Sequence, residues 1–273
     1  MIYLSSFKLS ERQVNNPNIY PYNVFRGKYI EPFVFAPITV FYGNNGSGKS
    51  TLLNIIANSL GLRGKENATG NSYGTVNYCD TFAKECFYSL GENEDGRTIR
   101  ALPENSRYIK SEDILYEIKK IQQKQALSDG MEYDCVQKGM SRQEAKRFLS
   151  SEEGVKQKEY IMFAQEKYSN GETSIQYFDE YLQPNALYLL DEPEVSLSPA
   201  NQVTLAEEIN NLARLLQCQF IIATHSPFML GTLSAKIYNI DTKEYDIAKW
   251  SELENVRYFY DFFKKHEKEF EEK

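Results

Sequence analysis

Histidine, cysteine and tryptophan are scarce in this chain, with two His, four Cys and one Trp among 273 residues. His225 and His266, with Cys79, Cys86, Cys135 and Cys218, are too few and too scattered for the paired spacing of a zinc site, and they outline no disulfide framework. The cysteines are read as reduced and structural. Long apolar runs are missing as well: none approaches the roughly 18 residues of a membrane span. The N-terminus MIYLSSFKLSERQ has neither a basic leader nor a long apolar stretch. The expectation is a cytoplasmic protein with no membrane span. Positive charge is in deficit, 31 Lys and Arg against 38 Asp and Glu, a net −7. Phosphate-backbone affinity comes from clustered Lys and Arg, so this balance argues against a surface devoted to nucleic acid and leaves only a local basic groove.

What is abundant is aromatic surface, 20 Tyr and 16 Phe, within an otherwise ordinary balance of 41% hydrophobic and 25% charged residues. A chain of this length can bury a substantial core as one elaborated α/β domain.

The stretch FYGNNGSGKSTLL, Phe41 to Leu53, carries the pattern G-x-x-x-x-G-K-[ST]. ITVFYG before it reads as a buried strand, and STLLNIIANSL after it has apolar residues at helical spacing. Strand, glycine loop, helix is the order a phosphate cradle needs, because glycines let successive N–H groups converge on one anion beside the positive end of the helix dipole. Gly43, Asn44, Asn45, Gly46, Ser47, Gly48, Lys49, Ser50 and Thr51 form the candidate cradle. Lys49 would neutralise the β- and γ-phosphates of a bound polyphosphate, and the Ser50 hydroxyl would ligate Mg²⁺.

ALYLLDEPEVSLSP, Ala186 to Pro199, reads as a second buried strand that ends in two carboxylates. Asp191 suits Mg²⁺, and Glu192 is placed to orient or deprotonate the water that attacks a γ-phosphate. Ser198 and Pro199 then look like a helix N-cap and first position, and QVTLAEEINNLARLLQ has helical periodicity. QFIIATHSPF returns as a further buried strand, so a right-handed crossover puts His225 on the same edge as Asp191, in reach of the γ-phosphate. In KYSNGETSIQYF, Ser169 and Glu172 have capping-box spacing. A Ser and a Gly at such an exposed helix start can also bind the γ-phosphate of a nucleotide held by another subunit.

The order GNNGSGKST, YSNGE, LLDEPE, THSP resembles the ATP-binding cassette (ABC) class of ATPases over residues from about 20 to 240. Within that class the chain is most similar to the soluble branch of SMC and double-strand-break-repair ATPases, OLD-type nucleases and stand-alone bacterial AAA-family ATPases. The resemblance implies an ATP-dependent homodimer in which the P-loop of one protomer and the signature of the other close over each ATP. It makes Lys49 and Ser50 the P-loop lysine and magnesium ligand, Asp191 and Glu192 the metal and catalytic acids, and His225 the switch histidine. Ser169 and Gly171 would act in trans, and Ser196 to Pro199 falls at the dimer-contacting loop. Tyr168, Asn170 and Glu172 depart from the family signature. The family's Q-loop glutamine has no counterpart in RYIKSEDIL, Arg107 to Leu115, which offers Ser111 and Glu112. Tyr20 and Tyr22 stack on adenine or pack in the protein.

The fold expected is α/β, a P-loop NTPase of ABC-ATPase type with a mostly parallel core sheet, an N-terminal antiparallel β layer and a helical lobe. As a single domain over 1–273, it would have a nucleotide-binding lobe at 1–110 and 180–245, a helical signature lobe at 111–179 and a C-terminal helix at 246–273. Residues 62 to 80 read as a loop or small hairpin, and 235 to 250 as a hairpin. Ser251 with Glu254 is expected to cap the last helix, RYFYDFFKKHEKEF, and that helix to dock on the core. The region from about 111 to 167 is too short, and too poor in heptads, for an SMC arm. The function expected is Mg²⁺-dependent ATP hydrolysis that drives a conformational change in an unknown protein partner. A slow-turnover, ATP-gated sensor is the alternative, possible settings being DNA repair or phage defence, and a transporter subunit is the weaker third.

Overall fold

The computed structural model describes residues 1–28, 31–66, 78–93, 95–110, 135–136, 140–151, 182–195 and 197–271. The chain divides into two compact units, Met1–Ser111 with Gln183–Lys273, and Glu112–Leu182.

The first unit is built on a five-stranded parallel sheet of order β5-β6-β7-β3-β8. Its strands are β3 (Ile38–Tyr42), β5 (Arg107–Lys110), β6 (Leu187–Asp191), β7 (Gln219–Ala223) and β8 (Lys236–Asn239). ITVFY, LYLLD and QFIIA are buried at every position, the pattern of central parallel strands covered on both faces. A three-stranded antiparallel layer, order β2-β1-β4, comprises β1 (Leu4–Lys8), β2 (Phe33–Val34) and β4 (Phe87–Leu90). Gln219 ties this layer to the parallel sheet. Fully buried on β7, it accepts from the backbone N–H of Tyr3 and of Leu4 at 2.8 Å each through Oε1 and donates to the Leu4 carbonyl at 2.9 Å through Nε2. Aromatic rings fill the space nearby, with Phe33 edge-on to Phe41 and to Tyr238 at 5.0 and 5.2 Å.

Helix α1 (Lys49–Leu60) leaves the P-loop and stops at Gly61, whose φ of 66° ends the helix in the left-handed region. Helix α2 (Tyr78–Glu85) packs against it, so residues 78–80, expected in a loop, begin a helix. In the second unit, α3 (Arg142–Leu149) starts with a capping box between Ser141 and Glu144. Returning to the first unit, α4 (Pro199–Leu215) begins as its sequence indicates, the Ser198 side chain accepting from the Asn201 N–H with proline in the first turn. Helix α5 (Pro227–Thr232) follows β7, capped by Ser226. The segment after it is only partly a hairpin: β8 is a parallel edge strand, and the return arm meets it at one antiparallel bridge, Tyr238 to Ile247.

Two expectations for the C-terminus do not hold. Ser251 lies inside a 3₁₀ turn, Trp250–Glu252, and α6 (Glu254–Lys265) starts from Leu253 without a side-chain cap. Nor do the aromatics of α6 dock on the core. Val256 is its buried residue, while Tyr258, Phe259, Tyr260, Phe262 and Phe263 are exposed. The reason lies along the helix: burial stops at Val256 in the first turn, and every one of these aromatics lies beyond it. The rings pack on one another instead, Phe262 on Phe263 at 5.6 Å and Phe263 on Phe270 of α7 (Glu267–Glu271) at 6.1 Å. Among the described residues no helix is long and apolar enough to cross a membrane.

Candidate functional site

Strands β6, β7 and β3 lie side by side, and their register sets Phe41, Ala223 and Asp191 in one row across the sheet. All three run the same way, so the chain leaves them at one edge. Gly43 follows two residues after Phe41, His225 two after Ala223, and Glu192 directly after Asp191. Ligands of open α/β sheets bind at this carboxyl edge.

In the loop, Gly46 and Gly48 have φ of 82° and 98°, values that L side chains adopt only with strain. The fit at Gly43 is closer still: a Cβ there would meet Ser47 Oγ at 2.5 Å. The Ser47 hydroxyl is buried without a hydrogen-bond partner. Lys49, only 5% exposed, folds its ammonium over the loop and donates to the carbonyls of Gly43 at 2.8 Å and Asn44 at 3.3 Å. The Asn44 N–H donates to Asp241 at 2.9 Å, Asn45 is exposed, and Thr51 accepts from the Tyr20 hydroxyl at 3.3 Å. A cradle with an orphaned hydroxyl and a buried ammonium hydrogen-bonded to two loop carbonyls suits a polyphosphate.

Ser50 Oγ donates to Asp191 Oδ1 at 3.1 Å. Two hard oxygen groups so close beside the loop suit Mg²⁺, which takes few protein oxygens and fills its shell with phosphate and water. Burial pushes the Asp191 carboxyl above its usual range, against the opposing hydrogen bonds from Ser50 and Tyr108. Glu192 takes a left-handed conformation, φ 47°, rare for a non-glycine residue. Its carboxylate then lies 3.6 Å from Lys49 Nζ and 3.3 Å from His225 Nδ1. Strain at such a position is characteristic of functional sites.

Two residues at this edge escaped the sequence reading. Glu194, 6% exposed, accepts from the Thr224 hydroxyl at 2.5 Å and the His225 N–H at 3.4 Å, and its Oε1 is 3.9 Å from His225 Nδ1. Burial raises its carboxyl above the usual range. His225 therefore sits between two carboxylates. The doubled acid of DEPE was the available signal, an acidic residue too close to a buried strand to be mere solvated loop. Tyr108 on β5 donates its hydroxyl to Asp191 Oδ2 at 3.1 Å, and no sequence signal marks it.

Tyr22 is a core residue, edge-on to Phe82 at 4.8 Å and bonded to Glu85 at 2.8 Å, whereas Tyr20 is exposed beside Thr51. Ser169 and Gly171, with Tyr168, Asn170 and Glu172 around them, lie outside the described residues, as do Ser111, Glu112 and Ser196. The structure thus gathers Lys49, Ser50, Asp191, Glu192 and His225, together with the loop from Gly43 to Thr51.

Comparison with solved structures finds the SMC head domain of Pyrococcus furiosus, bound to the C-terminal domain of ScpA. It is 12% identical, with 97% of this chain and 99% of that one covered and a TM-score of 0.46. The SMC head domain of Thermotoga maritima is 13% identical, covering 91% and 99% with a TM-score of 0.40. A nucleotide-free cassette from an ABC transporter is 14% identical, covering 88% of each chain with a TM-score of 0.41. No curated protein matches. Residues 77–231 match the family described as AAA domain, putative AbiEii toxin, Type IV TA system, a span that takes in the acidic pair and His225 and starts after the P-loop. The parallel sheet, the glycine loop between β3 and α1 and the acids at the end of β6 are the parts of a P-loop nucleotide-binding fold. With more than half of its length matched, the chain belongs to this AAA-domain family.

Proposed function

We propose that the protein hydrolyses ATP with Mg²⁺ at the carboxyl edge of its parallel sheet, and that two copies close over the nucleotide and do work on a partner chain. The observation that carries this reading is the convergence of Lys49, Glu192 and His225, with the Ser50–Asp191 pair beside them. The loop N–H groups and Lys49 hold the β- and γ-phosphates, the Lys49 ammonium exchanging carbonyl partners for phosphate oxygens. Ser50 and Asp191 hold the cation, which neutralises charge on the phosphates when bound. Glu192 accepts a proton from water as the water oxygen bonds to the γ-phosphorus. The bond from that phosphorus to the bridging oxygen breaks, leaving ADP and phosphate. His225, held between Glu192 and Glu194, contacts the γ-phosphate. Ser169 and Gly171 of a second copy supply the opposite wall.

The residues departing from the signature, Tyr168, Asn170 and Glu172, favour one variant of this reading, a slow cycle in which the ATP-bound state persists and acts as a signal. One experiment tests both. Phosphate release and molar mass by light scattering are measured for the wild type and Glu192→Gln, with and without ATP and Mg²⁺. The proposal expects release to fall about 10²–10⁴-fold in the variant, the loss typical of a general base, while ATP still binds and dimerises it. A wild type that is itself dimeric with ATP and slow to release phosphate selects the signalling variant. Unchanged release from Glu192→Gln would refute the assignment of the base.

A further inference from the structure

We propose that Tyr108 is a positioning residue of the cation site: from strand β5 it sets the plane of the Asp191 carboxylate. The inference rests on the Mg²⁺-ATPase reading above.

The geometry is specific. Strands β5 and β6 pair in parallel with Tyr108 opposite Leu189 and Lys110 opposite Asp191. Tyr108 thus stands two residues short of the Asp191 row, on the face Asp191 shares, and its long side chain spans the difference. The hydroxyl donates to Oδ2 at 3.1 Å, while Oδ1 accepts from Ser50 at 3.1 Å. A carboxylate tied at both oxygens has one orientation left.

The two ties differ in what a cation does to them. Ser50 would itself be a ligand, and its hydroxyl would then be drawn from Asp191 to the cation. Tyr108 faces the other carboxylate oxygen, and its bond survives. It would therefore be the tie that keeps the Asp191 carboxylate in place once Ser50 is engaged.

Tyr108 is also anchored as an orienting group should be. It is 3% exposed, and its N–H donates to the Arg63 carbonyl at 2.8 Å. On that side the chain comes so close that a Cβ on Gly64 would meet the Tyr108 carbonyl oxygen at 2.1 Å. Pairing with β6 on one side and the close Arg63–Gly64 segment on the other leave the ring little freedom. Partners of this kind, bonded to a ligand rather than to the metal, typically change metal affinity or activity about 10–100-fold when removed.

The test is Tyr108→Phe, which deletes one hydroxyl and leaves the ring. Binding of a fluorescent ATP analogue is titrated with Mg²⁺ and repeated in EDTA, for wild type, Tyr108→Phe, Asp191→Asn and the double variant. The expected result is a rise of about 10-fold in the Mg²⁺ concentration needed for half-maximal tightening. Affinity in EDTA should stay unchanged, and Tyr108→Phe should have no further effect once Asp191 is Asn. A Mg²⁺ response within twofold of wild type overturns the inference. So does an equal loss with and without the metal, or failure of the variant to fold, since either assigns the hydroxyl to stability alone. If the wild type itself shows no Mg²⁺ response, it is the ATPase reading that fails.

Discussion

Gly48 offers a way to separate backbone strain from steric overlap in the P-loop. It precedes α1 with φ 98°, and a Cβ there would lie 2.5 Å from Val24 Cγ1. Gly46 has a similar φ of 82°, yet a Cβ on it would meet nothing within 4 Å. Left-handed backbone costs an L-residue about 1–2 kcal/mol, so Gly46→Ala is expected to lose about 1.5 kcal/mol. Gly48→Ala bears the same strain plus an overlap of more than 1 Å with a branched, half-buried side chain. Overpacking of that order adds about 2 kcal/mol. At about 3 °C per kcal/mol for a protein of this size, the melting temperature should fall by about 4 °C in Gly46→Ala and about 10 °C in Gly48→Ala. Val24→Ala removes the clashing methyl, so in the Gly48→Ala background it should restore roughly the 2 kcal/mol of overlap, while in the wild type it should destabilise slightly. Thermal unfolding without nucleotide, followed by circular dichroism, measures the whole cycle. Equal losses at Gly46 and Gly48, or a coupling to Val24 near zero, would refute the reasoning.

Gln219→Leu should cost about 3–5 kcal/mol, because the Tyr3 and Leu4 N–H groups and the Leu4 carbonyl are left buried without that partner. A change below 1 kcal/mol in denaturant unfolding would show that Gln219 does not join the layers. Glu85 accepts from Arg12 at 2.6 Å, Ser10 at 2.7 Å and Tyr22 at 2.8 Å. Burial works to raise its carboxyl, but these bonds outweigh it and hold the group below its ordinary value. Its contribution to stability is therefore full above the unfolded value of about 4.3 and is lost as pH falls through the depressed folded value. Glu85→Gln should lower stability at pH 7 and flatten the acid limb of the stability curve, and an unchanged acid slope counts against the network.

The parallel sheet was legible because ITVFY, LYLLD and QFIIA are continuous apolar runs, and such runs report burial on both faces wherever they pair. The Ser198–Pro199 helix start was equally local, a cap and a proline side by side. Strand β5 shows what is not local. RYIK is short and half polar, and its membership in the sheet depends on β6, far along the chain. The Tyr108–Asp191 bond follows from that pairing register and from nothing a window of sequence contains. The failure at Ser251 has the same origin. Capping-box spacing is satisfied by Ser251 and Glu254, but the tertiary turn at Trp250 claims the serine first. For α6 the pattern marks an apolar face but not where along the helix the core ends, and all of its aromatics lie beyond the buried Val256.

One consequence of the strand order concerns how the chain tolerates change. Neighbouring strands β5 and β6 bracket the whole second unit, because the chain leaves the sheet at Lys110 and rejoins it at Leu187. Parallel neighbours need a crossover of only about a dozen residues to be joined. Everything beyond that minimum is topologically surplus to the sheet. The length of the intervening stretch can therefore change without shifting the register of the residues at the carboxyl edge.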